Sequence, residues 1–147
     1  MKITDISELE KLTETELREY VEENQSDTFA YGDLPIIEID GVQYAIAFDD
    51  DEADKAATEN IEQSVWAFTP EFIAVATGLP VEIFECVAKS GMCESSNDAI
   101  LACIEQTCGI ESFAQDAICC DGRGHFLNCW DGEEIELTNS NAYAYQV

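Results

Sequence analysis

Three sets of residues in this chain could carry chemistry: the carboxylate run Asp49-Asp50-Asp51-Glu52, a lone His125 beside Arg123 in the stretch DGRGHF, and seven cysteines. A Ser or Cys hydrolase needs a base held against its nucleophile, and His125 is the sole candidate. Gly122 and Gly124 around it predict a tight turn between a helix and a strand, with Arg123 paired to a local acid and His125 packed at the strand start. Zinc demands several thiolates or imidazoles on one tetrahedron, usually announced by close pairs such as C-x-x-C. Here Cys86, Cys93, Cys103, Cys108, Cys119, Cys120 and Cys129 are irregularly spaced, with only Cys119 and Cys120 adjacent. A calcium loop starting at Asp49 would need an oxygen ligand fifth and a glycine sixth, where Ala53 and Asp54 stand. The expectation is therefore no metal, no cofactor and no enzyme. A thiol or hydrolase activity using His125 is the third choice.

The carboxylates carry more meaning together than singly. Thirty-two Asp and Glu face six Lys and Arg in 147 residues, a net charge of -26. So few cations leave most acids to solvent or to a basic partner, and the field repels nucleic acid and anionic membranes while drawing in basic surfaces. Duplex DNA carries one charge per ~1.7 Å, so this charge matches ~13 base pairs. Rows of Lys and Arg built to hold phosphates do not distinguish them by charge from well-spaced carboxylates. Solubility alone needs a net charge of only about 2 to 8. Adaptation to high salt also selects acidic surfaces, but it fits poorly with the cysteine and aromatic load.

The odd cysteine number and the N-terminus, which reads without a secretory leader, predict a reducing cytosol. No apolar run nears the ~20 residues that span a bilayer. Length and a hydrophobic content of 46% fit a single domain over residues 1–147, with 1–24 as a helical segment that could be loosely attached.

The elements that must position these residues read as an α+β fold. Over Asp5 to Asn24, Ser7 with Glu10 and Thr13 with Glu16 have capping-box spacing, which predicts two helical pieces broken near Leu12. Residues 25–34 read as a loop. Asp40-Gly41 between alternating apolar runs predicts a β-hairpin from Pro35 to Phe48, with Ile37, Ile39, Val42, Tyr44, Ile46 and Phe48 on one face and the following helix as that face's partner. In that helix Ala53, Ala57, Ile61 and Val65 form one apolar stripe, and the acids before it are placed to cap it. Short helices follow: one from Thr69-Pro70 to Gly78, one from Pro80 to about Ser90, one capped by Ser96 or Asn97 up to Gly109, and one over Ile110 to Cys120. The end reads as an antiparallel meander of Phe126 to Trp130, Glu133 to Thr138 and Ala142 to Val147.

The stretches DGVQYAIAFDDDEADKAATENIEQSVWAF, SFAQDAICCDGRGHFLNCWDGEEIEL and YAYQV resemble a group of small acidic proteins encoded by tailed bacteriophages, from about Gly41 to the end. The resemblance supplies no assigned catalytic residues. It implies a phage origin, an early or accessory gene and the bacterial host cytoplasm, in a class rich in anti-restriction and anti-CRISPR factors. The expected function is thus a non-enzymatic inhibitor that mimics DNA. Its expected partner is a basic DNA-binding host protein or complex, a Cas effector or restriction enzyme, with no direct nucleic-acid or membrane contact; a homodimer is compatible with the sequence. The expected contact residues are Asp49, Asp50, Asp51, Glu52, Glu59 and Glu62, with Glu133, Glu134 and Glu136 as a second patch. The alternative is a phage accessory protein that binds a host factor through an apolar or aromatic patch around Trp130 and Tyr143, with the acidity serving solubility only.

Overall fold

A computed structural model describes residues 1–91 and 94–147, so Cys93 lies outside the described residues. In chain order the elements are α1 (Ile6–Leu9), α2 (Glu14–Asn24), β1 (Gln25–Phe29), β2 (Pro35–Ile39), β3 (Val42–Ala47), α3 (Asp50–Gln63), α4 (Pro70–Thr77), α5 (Val81–Lys89), α6 (Asn97–Glu105), α7 (Ile110–Asp121), α8 (Arg123–Leu127), β4 (Ile135–Leu137) and β5 (Ala142–Gln146). The fold is α+β. The chain divides into two compact units, Met1–Ala57 with Asp121–Val147, and Thr58–Cys120.

The first unit is built on an antiparallel sheet of order β1-β2-β3-β5-β4. Asp40 and Gly41 both take positive φ, 50° and 80°, which gives the two-residue turn its required twist and pairs Ile39 with Val42. The hairpin register is the expected one, but its partner is not. Ile37, Ile39 and Ile46, with Leu137, Ala142 and Ala144 from the neighbouring strands, are buried against Ile3, Leu9, Leu12, Leu17, Tyr20 and Val21 of the N-terminal segment. Residues 1–24 thus supply half of this core. Leu17 has no exposed surface, and cutting it to Ala would cost about 2 to 5 kcal/mol.

The opposite face of the sheet is also closed, with Ala45, Ala47 and Tyr145 almost without exposure. Because Ala is small, this face reads weakly in the sequence, yet small residues are what permit close approach from above. Ala53, Ala56 and Ala57 at the start of α3 are fully buried, and the turn at Gly32 reaches the backbone of Ala56.

Several local expectations shift by a few residues for identifiable reasons. Asp5 with Glu8, not Ser7 with Glu10, forms the capping box of α1, while Thr13 with Glu16 caps α2 as expected. The 25–34 loop contains β1, an exposed edge strand whose side chains lack apolar alternation and whose place comes from pairing with β2. Where a strand over Phe126 to Trp130 was expected, the chain forms α8 over its first two residues, and only Cys129 N–H, donating to the Gln146 carbonyl at 2.8 Å, reaches the sheet. Asn128 breaks the strand. Its Oδ1 accepts from the N–H groups of Trp130 and Asp131 at 2.8 and 3.0 Å, and its Nδ2 donates to the Glu133 carbonyl at 2.9 Å. These bonds fold the segment into a loop.

In the second unit, Thr69 caps α4 and Gly78 ends it in the left-handed conformation. Phe68, Phe72 and Phe113 pack as an aromatic trio with ring centroids 5.1 to 5.3 Å apart, joining α4 to α7. Ser96 holds the N-cap position of α6 without the side-chain capping bond expected there. Asn97 instead receives the Trp66 N–H at 3.3 Å and donates to the Glu62 carbonyl at 2.9 Å.

Candidate partner-binding surface

The carboxylates expected to meet a partner divide by role once their bonds are traced. At the start of α3, Asp49 Oδ1 accepts from the Glu52 N–H at 2.8 Å and Glu52 Oε2 accepts from the Phe48 N–H at 2.7 Å. That reciprocal pair caps the helix, so two of the four acids in the run are occupied by the fold. Asp51 is exposed beside them.

Asp50 belongs to an ion-pair knot that joins the two expected patches. Arg123, at the start of α8 and with a side chain only 13% exposed, places Nη1 2.9 Å from Asp50 and 3.2 Å from Asp54. Its Nε and Nη2 form a fork on Glu134, 2.9 Å to Oε2 and 3.0 Å to Oε1. The guanidinium carbon lies 4.5 Å from the Tyr143 ring centroid, and Tyr145 Oη donates to Glu134 at 2.5 Å. Burial works against the Arg123 charge, but the bonds to Glu134 and Asp50 outweigh it and hold the group more firmly protonated than usual. The Tyr143 hydroxyl bond, then Arg123, keep the Asp50 carboxyl below its ordinary range. Burial and then the bond to Glu134 push the Tyr145 phenol up.

Arg123 is thus paired across long sequence separations, to Asp50 and Asp54 on α3, and its pairing is not merely local. His125 sits on α8, exposed, with its ring edge-on to Phe126 at 4.9 Å, and not at a strand start. Gly124 is buried so close to the Gly132, Glu133 and Glu134 backbone that a Cβ there would clash with it. Among the described residues no three His, Cys, Asp or Glu side chains converge as metal ligands, and no helix is long and apolar enough to cross a membrane.

The remaining expected residues differ in exposure. Glu133 and Glu136 are exposed, Glu136 on the edge strand β4 opposite Tyr143. Glu59 and Glu62 lie on the part of α3 that belongs to the second unit, Glu59 half-buried and Glu62 exposed. A row outside the expected set stands out on α2. Glu16, Glu19, Glu22 and Glu23 are all exposed on the side away from buried Leu17, Tyr20 and Val21. With a rise of ~1.5 Å per residue, Glu16, Glu19 and Glu23 step along the helix by ~4.5 and ~6 Å. The one cation of α2, Arg18, bonds Glu14 at 3.2 Å and stacks 4.4 Å from the Phe48 ring centroid. The i, i+3, i+6, i+7 spacing of these glutamates is legible in the sequence, interleaved with the apolar positions Leu17, Tyr20 and Val21.

The first unit holds 22 acids against 5 bases and the second 10 against 1. In the first, 17 of the acids are exposed and none is buried. Comparison with protein-family models, with curated proteins and with solved structures gave no match.

Proposed function

We propose that this protein is a phage-encoded inhibitor that works in the bacterial host cytoplasm, occupying the Lys/Arg-lined DNA site of a restriction enzyme or Cas effector as an acidic DNA mimic. The observation that carries the reading is the exposed anionic surface of the first unit, on which 17 carboxylates face solvent. Its most buried cation, Arg123, is spent on internal pairs. The α2 row lines up carboxylates at axial steps of ~4.5 and ~6 Å, sparser than the ~3.4 Å axial spacing of charges along one DNA strand but of the same sign and linear order. The sequence resemblance to small acidic phage proteins supports the origin and the class. Inhibition needs no chemistry from the chain itself, only exclusion of DNA.

The contact residues in this reading are Glu16, Glu19, Glu22 and Glu23 on α2, with Asp51, Glu133 and Glu136. Asp49, Glu52, Asp50 and Glu134 support the fold instead. The test is charge reversal at sites free of structural duty. Glu16 takes part in the α2 cap, so the variant is Glu19→Lys, Glu22→Lys, Glu23→Lys, combined in a second protein with Asp51→Lys and Glu136→Lys. Capture of a Lys/Arg-rich DNA-handling protein from host lysate should fall with the first and vanish with the second. Undiminished capture by both folded variants would refute the mimic.

Trp130 favours a second reading, since it is 72% exposed and is held by a 3.4 Å bond from Nε1 to the Val147 carbonyl. In that case Trp130→Ala abolishes capture and the charge reversals do not. Tyr143 contributes little to such a patch because it lies beneath Arg123.

A further inference from the structure

The second unit carries a feature that the anionic surface of the first does not explain. An open groove of about 530 Å³ is lined by Glu71, Phe72, Val75 and Ala76 of α4 and by Asp116, Cys119 and Cys120 of α7. Its walls are successive turns of two helices: Phe72 and Ala76 on one side, Asp116, Cys119 and Cys120 on the other, each set at i, i+3 or i+4 spacing. Val75 is 85% exposed, the most exposed large hydrophobic side chain among the described residues. We propose that this groove docks the apolar face of a cationic amphipathic helix from a protein partner, with Glu71 and Asp116 pairing the Lys or Arg side chains that flank that face.

Three observations select this occupant. No Lys or Arg lines the groove, and the unit around it holds 10 acids against the single Lys89, so the rim favours a cationic ligand. A second copy of the chain would bring a net charge of -26 to the same surface and be repelled. A small molecule is normally enclosed over most of its surface, and a wall whose Val75 is 85% exposed is too shallow for that, while a helix laid along two ridges needs only one to two turns of contact. The inference goes beyond the mimic reading and does not require it, since every groove residue belongs to the second unit and the proposed DNA-like residues to the first.

The experiment uses the full chain and a fluorescent Lys/Leu peptide patterned as an amphipathic helix, with a scrambled peptide of equal composition as its control. Val75→Asp is the deciding variant, because it adds negative charge while removing apolar surface, and an exposed position should leave thermal unfolding unchanged. The groove predicts that Val75→Asp binds the patterned peptide about tenfold more weakly than the parent, and that the parent binds the scrambled peptide as weakly. It also predicts that the patterned peptide slows maleimide labelling of Cys119 and Cys120 but not of Cys86 or Cys129. Equal or tighter binding by Val75→Asp would assign the affinity to general charge and overturn the proposal. Unprotected Cys119 and Cys120, or self-association of the parent that Val75→Asp removes, would overturn it as well. Loss of peptide binding with host-protein capture intact, or the reverse, separates this groove from the mimic surface.

Discussion

Arg123 holds three carboxylates and one aromatic face with a single side chain. Replacing it with Ala leaves Glu134 half-buried without its fork, and breaking such a pair costs about 3 kcal/mol, the lower end for buried pairs because Glu134 keeps 27% of its side chain exposed. Arg123→Lys should recover only part of this, since an ammonium cannot form the fork. Asp50 and Asp54 are 67% and 43% exposed, so Asp54→Asn should cost under ~1 kcal/mol. Urea unfolding of the three variants checks the ranking. Tyr145 gives a pH signature. Its folded phenol titrates above the ordinary value of 10.0, so its contribution is fully present below that value and is lost as pH rises through the folded one. The stability advantage of the parent over Tyr145→Phe should therefore shrink above about pH 10, and an advantage constant into stronger alkali would contradict a phenol raised by burial and by its bond to Glu134. In the sequence Arg123 was conspicuous as the lone Arg of the C-terminal half. Its partners were not, because α3 and β4 are distant in the chain and only the sheet brings them together.

At the level of elements, caps and close approaches decide where helices begin and what they touch. Asp49→Ala removes a side-chain acceptor at the start of α3 and should lower stability by about 1 kcal/mol, whereas Asp51→Ala, one turn position away and exposed, should change it by less than ~0.5 kcal/mol. Thermal unfolding of the pair distinguishes cap from bystander. Gly124→Ala should cost about 1 to 3 kcal/mol or more, since the added methyl meets backbone at Gly132 to Glu134 and not a side chain that could move. Elements with strong local signals were legible: the Asp40-Gly41 hairpin, the Ala53, Ala57 and Ile61 stripe, and the Thr69-Pro70 start of α4 stand where their residues place them, while Val65, expected on the same stripe and also buried, falls past the end of α3 in a short 3-10 turn. Those whose identity comes from a distant neighbour were not. β1 has no apolar alternation and exists by pairing with β2, and the helix at Arg123–Leu127 replaces an expected strand because Asn128 turns the chain there. The sheet's choice of α1 and α2 over α3 for its Ile37, Ile39 and Ile46 face is likewise a tertiary decision.

For the whole molecule the governing quantity is charge, read directly from composition; its arrangement is not. Of the residues expected to meet a partner, Asp49 and Glu52 cap a helix and Asp50 and Glu134 neutralise Arg123, leaving Asp51, Glu133 and Glu136 exposed in the first unit beside the α2 row. A dense run of acids in a sequence is therefore a poor guide to which of them face a partner, because the same spacing serves helix starts. The central claim is that those exposed carboxylates take the place of phosphates. Its most direct test is the affinity of the chain for the basic host protein that the proposal calls for, measured from about 50 to 200 mM salt with and without duplex DNA. The account predicts that affinity falls steeply with salt and that DNA and this protein displace one another. An affinity that is flat across the salt series and indifferent to DNA would contradict it.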